Sequence, residues 1–194
     1  MTMTETDAFE AMLAHHRNLE KQVGERAAAV AGATASASGT RGPGGSYPLA
    51  VADLVAHFNE EVLPHATAEE QSIYLAAIAV PALEKTVAEL LLEHEQLTAS
   101  VQALAAAEEP TEVAAMASSI AALFSAHVAK ENDLVLARLQ AEETISLTDL
   151  LAQMHELTDT ARTHPPADGD AAGARNIAPV SSASTAPDRT VATT

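Results

Sequence analysis

Cysteine is absent from the 194 residues. That excludes disulfides, thiolate zinc sites, iron-sulfur clusters and covalent haem attachment, and it fits a reducing compartment. Any bound metal must be held by nitrogen and oxygen. Aromatic residues make up 3% of the chain, and no segment alternates apolar and polar residues over several positions, so strands are not expected. Basic residues are few: ten Lys and Arg stand against 27 Asp and Glu, a formal net charge of −17. Neutralising a phosphate backbone needs clustered Lys and Arg, which argues against nucleic acid as a partner. No apolar run approaches the ~20 residues of a membrane span or follows a basic start as in a signal peptide. The expectation is a soluble cytoplasmic protein with no membrane partner.

What the chain does have is four long Ala/Leu/Val-rich stretches of helical period. The fold class read from them is all-α, an up-and-down four-helix bundle over residues 1–158. The first helix is expected from Asp7 to Val30, with Phe9, Leu13, His16, Val23, Ala27 and Val30 facing inward. A Gly/Ser/Ala/Pro stretch follows and reads as a long loop over 31–48. The second helix should run from Leu49 to Ile78 and kink near Pro64, whose ring clashes with the preceding turn and which lacks an amide donor. Pro81 opens the third helix, Glu109 and Pro110 end it, and Thr111 is the expected N-cap of a fourth helix running to Gln140. A short fifth helix is expected over Ser146 to Leu157, capped by Ser146, with Leu147, Leu150, Leu151 and Met154 facing the bundle. The remainder, 159–194, is too poor in apolar bulk to pack and reads as a disordered tail.

Histidines interrupt the apolar seams. Along the third helix Leu83, Val87, Leu90, His94, Leu97, Val101 and Leu104 step by fours and threes, and one imidazole replaces an aliphatic side chain. His16 and His94 both open the pattern H-x-x-L-x-x-x-V. His65 and His127 both open H-x-x-x-E, ending at Glu69 and Glu131, with apolar pairs Ile73, Tyr74 and Val135, Leu136 eight and nine residues after each histidine. Residues four apart share a helix face, so each pair aims an imidazole and a carboxylate at the interior. Four His and two Glu from four helices suit two adjacent metal ions, with one terminal His per helix and both carboxylates bridging. Iron is the favoured metal, manganese less so.

Composition alone gives each of eight histidines about a 0.14 chance of an acid four residues on, hence roughly one H-x-x-x-E, and the chain has four, counting His16 to Glu20 and His57 to Glu61. The two-by-two repeat on apolar seams carries the signal. A single histidine on an apolar face is more often a core side chain bonded to a carbonyl. Two buried carboxylates with no inward Lys or Arg at matching depth make the difference, because a cation removes the cost of burying them as ions. His57 and Glu61 read as a solvated face, Glu20 as either a rim or a site position, and His15 as surface. His155 reads as packed at the fifth helix, His164 as part of the tail, and Tyr74 as core or a redox-active neighbour of the metals.

These motifs resemble the hemerythrin-like, or HHE cation-binding, family, notably in EEVLPHATAEEQSIY and AHVAKENDLVL. The likeness covers about Thr6 to Leu139. It implies an up-and-down bundle around a non-haem di-iron centre held by His16, His65, Glu69, His94, His127 and Glu131. Oxygen-carrying hemerythrins have a second histidine on the third helix and an aspartate five residues after the fourth-helix histidine. Here the corresponding positions hold Leu90, Thr98 and Asn132. That difference points away from dedicated oxygen transport. The expected function is to bind or sense a small ligand, O2, NO or peroxide, or to handle iron under stress. The alternative is a peroxide-consuming oxidoreductase with weak catalase or peroxidase activity.

Overall fold

Thr4 starts the first helix by exchanging hydrogen bonds with Asp7: the Asp7 amide donates to Thr4 Oγ1 at 3.1 Å, and the Thr4 amide to Asp7 Oδ2 at 3.0 Å. In the computed structural model, which describes residues 3–37 and 47–163, helix α1 spans Glu5–Ala37. Its buried stripe is Ala8, Met12, His16, Leu19, Val23, Ala27, Val30 and Thr34. Phe9 and Leu13, expected on that stripe, are half-buried beside it. The helix also continues seven residues into the stretch read as loop. Alanine there has the highest helix propensity, and the Thr34 hydroxyl bonds the Val30 carbonyl at 3.0 Å while extending the stripe. Residues 38–46 lie outside the described residues.

The second rod is segmented. Helix α2 (Tyr47–His57) leads into a π-helical turn (Phe58–Val62), then α3 (Leu63–Gln71) and α4 (Ile73–Ile78). The expected distortion at Pro64 takes the form of that widened turn, which ends one residue before Leu63 and absorbs the donor proline lacks. Helix α5 (Glu84–Ala106) starts three residues after Pro81, because Val80–Leu83 forms a tight turn that buries Val80 and Leu83. Helix α6 (Pro110–Lys130) is preceded by Glu109 in extended conformation, so Pro110 occupies the first turn and Thr111 is not the cap. A second π-helical turn (Glu131–Leu136) and α7 (Ala137–Gln140) complete that rod. Helix α8 (Leu147–Thr163) buries Leu147, Leu151 and Met154, as expected, but runs past Leu157. Residues 159–163 are therefore helical, and 164–194 lie outside the described residues. No strand occurs among the described residues.

The rods form a helical bundle in which α1 packs along α6 and α2, α5 along α6 and α2, and α8 along α3 and α1. By length and composition Pro110–Gln140 could cross a membrane, contrary to the sequence expectation. Its apolar stripe is instead occupied by α1 and α5, and it turns His127 and Glu131 inward.

Two apolar clusters fill the bundle. One holds Met12, Ile73, Leu90 and Val135, the other Leu19, Val62, Leu97 and Val128. On the first three rods the sequence passes from one cluster to the other across a histidine and on the fourth across Glu131, one turn after His127, which sets a polar layer between two apolar ones.

Helix α8 is pinned from the far end of the chain. Glu5 accepts from the Leu147 amide at 2.6 Å, from Thr148 Oγ1 at 2.8 Å and from Ser146 Oγ at 3.0 Å, while Ser146 Oγ caps the Asp149 amide at 3.2 Å. The Thr148 hydroxyl, then the Ser146 hydroxyl and the two backbone amides, outweigh partial desolvation and hold the Glu5 carboxyl below its ordinary 4.5. This folded-state value is depressed, so the anchoring is complete above pH 4.5 and is lost as pH falls through the lower folded value. Glu5→Gln is expected to loosen α8 at neutral pH, read as several-fold faster amide exchange confined to residues 147–163. Unchanged exchange there would remove Glu5 as the anchor.

Candidate metal centre

His16 on α1, His65 and Glu69 on α3, His94 on α5, His127 on α6 and Glu131 on the second π turn meet in the polar layer. Their exposure ranges from 1% to 6%, so all six are withdrawn from solvent. His16 Nε2 and His65 Nε2 lie 3.0 and 2.9 Å from Glu69 Oε1. His94 Nε2 lies 3.9 Å from the other oxygen, Glu69 Oε2, and 3.1 Å from His127 Nε2. Two groups with metal-ligand spacing result, His16–His65–Glu69 and Glu69–His94–His127, sharing one carboxylate. Glu131 Oε2 is 3.7 Å from His16 Nε2.

Outer partners fix the rings. His16 Nδ1–H donates to Asn132 Oδ1 at 2.7 Å, His94 Nδ1–H to Glu70 Oε1 at 2.8 Å, and His127 Nδ1–H to Glu93 Oε2 at 3.1 Å. A carboxylate can only accept, so in His94 and His127 the proton sits on Nδ1 and the Nε2 lone pair faces inward. Lys130 in turn donates to Glu93. The sequence reading gave none of Glu70, Glu93 and Asn132 a part in holding a ring, although it placed Asn132 where the oxygen carriers have an aspartate. Their one local signal is adjacency, since Glu70 follows Glu69, Glu93 precedes His94 and Asn132 follows Glu131, yet all three serve a histidine on another rod.

The donor set fits a cation on three counts. His94 and His127 place two inward lone pairs 3.1 Å apart, a contact that only a proton or a metal ion between them relieves. Glu131 Oε1 is buried without a hydrogen-bond partner, and His65 Nε2 is buried with Glu69 Oε1 at 2.9 Å but no aligned hydrogen bond. Burial and the nearby Glu69 charge push the Glu131 carboxyl well above its ordinary value, a cost to its charged form that a cation would offset. His16 shows the same demand for positive charge. Burial opposes its protonation, but the hydrogen bond to Glu69 and the Glu131 charge overcome this and raise it to about 9.

Other sequence candidates fall outside the cluster. His57 is buried, not solvated as expected: α2 turns it toward α1, where desolvation and then the Arg26 guanidinium depress its pKa. Glu20 accepts from Ser125 Oγ and joins α1 to α6. Tyr74 is core, and its ring also stacks on His94 with centroids 5.5 Å apart and its hydroxyl 3.5 Å from His94 Nε2. His15 keeps an exposed edge while its ring packs at a tilt against that of His65, with centroids 4.5 Å apart. Desolvation of its inner edge and the neighbouring His65 and His16 push its pKa down to about 4. His155 is exposed rather than packed, and His164 lies outside the described residues.

The family model described as the hemerythrin HHE cation binding domain matches residues 7–139, which contain all six inward donors. No match is found among curated proteins or among solved structures. With a family match over more than half its length and a buried nitrogen and oxygen donor cluster within it, the chain belongs to the hemerythrin HHE cation-binding family.

Proposed function

We propose that this chain is a non-haem di-iron protein that binds or senses O2, NO or peroxide, or handles iron in a stress response. The observation that carries the reading is the pair of buried donor groups sharing Glu69, whose two oxygens face different histidines. His16 and His65 would hold one ion and His94 and His127 the other, with Glu69 and Glu131 bridging. The ring of neighbours, α1 beside α2 and α6 and α5 beside the same two rods, supports an up-and-down order.

Two iron ions supply redox equivalents and coordination positions open to a small ligand. The protein contributes the rest. Asn132, Glu70 and Glu93 hold three imidazoles in the tautomer that presents Nε2, and the apolar clusters on either side exclude water. Leu90 and Thr98 leave α5 with a single donor, which supports ligand sensing or iron handling over dedicated oxygen carriage.

Loading must expel the proton on His16, so apparent cation affinity should rise with pH up to about 9. In the metal-free protein the sign is opposite: the raised His16 contributes stability fully below its ordinary 6.5, and that stability disappears as pH passes about 9. Asn132→Ala frees the His16 ring and should weaken cation affinity roughly 10–100-fold in a chelator competition; equal affinity would show that the ring is oriented by something else.

The deciding experiment is metal content with an optical spectrum of aerobically purified protein. Two iron per chain, near-ultraviolet bands that zinc does not give, and a spectral response to NO or peroxide are expected. Iron well below two per chain with stability unchanged by chelation would reduce the molecule to a plain interaction bundle. A peroxide-consuming activity is the second reading, favoured by the buried Tyr74 hydroxyl beside His94 and bonded to Glu131, a hydrogen donor within the donor layer. Oxygen evolution from peroxide no faster than with free iron would dismiss it.

A further inference from the structure

A cleft of about 390 Å³ runs between α1, the first π turn with α3, and α8. Its inner end is His16 and His65, two of the buried donors, and its apolar wall is Met12, Leu151 and Met154. Its outer rim carries Glu61, His155 and Asp159. His155 and Asp159 repeat the four-residue spacing of the interior His/Glu pairs, here on α8, beyond the residues the family model matches. The six-donor layer uses neither of them.

The buried layer poses a transport problem. A hydrated divalent cation cannot cross the aliphatic clusters on either side, because shedding its water there without replacement ligands is prohibitively costly. Toward the α5 and α6 flanks the imidazoles are backed by Glu70, Glu93 and Asn132, which are engaged with the rings themselves. The cleft differs on both points. It carries carboxylates and the imidazoles of His15 and His155 at solvent, and it ends at His65, whose buried Nε2 has Glu69 Oε1 at 2.9 Å but no aligned hydrogen bond.

We propose that this cleft is the route by which a divalent cation is loaded, with Glu61, His155 and Asp159 drawing the ion in and passing it to His65 and His16. The inference rests on the metal reading above and adds to it a function for α8, which builds one wall of the route. Hard and borderline divalent ions with oxygen and nitrogen preference, such as Fe2+, Mn2+ and Co2+, match the rim. Anions do not, since the carboxylates repel them and the whole chain carries −17.

Cobalt(II) uptake by the full-length, metal-free protein provides the test, followed in a stopped-flow instrument by the visible bands of bound Co2+. The triple variant Glu61→Gln, His155→Gln, Asp159→Asn should load about tenfold more slowly at low ionic strength, with the same final Co2+ per chain. Added salt should slow the wild type and leave the variant nearly unaffected. Met154→Trp, which fills the cleft without altering charge or donors, should slow loading as well. Full loading at the wild-type rate in both variants would overturn the route while leaving the metal centre intact. A lower final stoichiometry in the triple variant would also overturn it, since the rim residues would then be ligands. Failure of the wild type to bind Co2+ would instead sink the metal reading on which the route rests.

Discussion

Glu69→Ala should leave the purified protein with almost no bound iron, whereas His65→Ala should retain about one ion per chain. The difference follows from the shared carboxylate. Glu69 Oε1 serves His16 and His65, and Oε2 faces His94, so deleting it removes an oxygen donor from both groups at once. His65 belongs to one group alone. Ligand binding at a hundredfold excess over Kd stabilises a fold by about 2.7 kcal/mol. Each kcal/mol moves the melting temperature of a domain this size by about 2–4 °C. Glu69→Ala should therefore melt about 5–10 °C below the iron-loaded wild type and gain nothing from added iron. Full iron content in this variant would show that the two groups do not share a bridging carboxylate.

Phe58→Ala is expected to be among the most damaging substitutions outside the metal layer. Phe58 is fully buried on the first π turn and meets Phe124 edge to face, with centroids 6.0 Å apart. Truncating a buried phenylalanine costs about 3–5 kcal/mol, from lost burial and from the cavity left behind. The melting temperature should fall by about 10 °C. Phe58 lies in the apolar cluster with Leu54 and Val62 and contributes no donor, so iron per chain at low temperature should stay at the wild-type level. A loss of iron proportional to the loss of stability would mean that the π turn positions His65 as well as packing the core.

Much of the donor layer is readable from spacing. His16 and His94 sit on stripes of period three and four, and the two H-x-x-x-E pairs share a face by helix geometry alone, so their inward direction follows once the helices exist. The same logic fails at His57. It stands eight residues before His65, yet the widened turn between them shifts the register, and α2 buries it against α1 near Arg26. The expected loop over 31–48 is too long at its ends, where 31–37 and 47–48 are helical, for a different reason. Its glycine and serine content masked an alanine-rich start that packing at Thr34 keeps helical.

By itself, the sequence determined the helical class, most of the apolar stripes and the six imidazoles and carboxylates of the polar layer, because these depend on periodicity within one helix. Tertiary structure alone decided which group holds each ring, where the bundle opens, and what pins α8. The contacts responsible join residues 24, 34, 116 and 142 positions apart. No local pattern encodes such pairs, since the angle and register between two rods are set by the packing of all their side chains together.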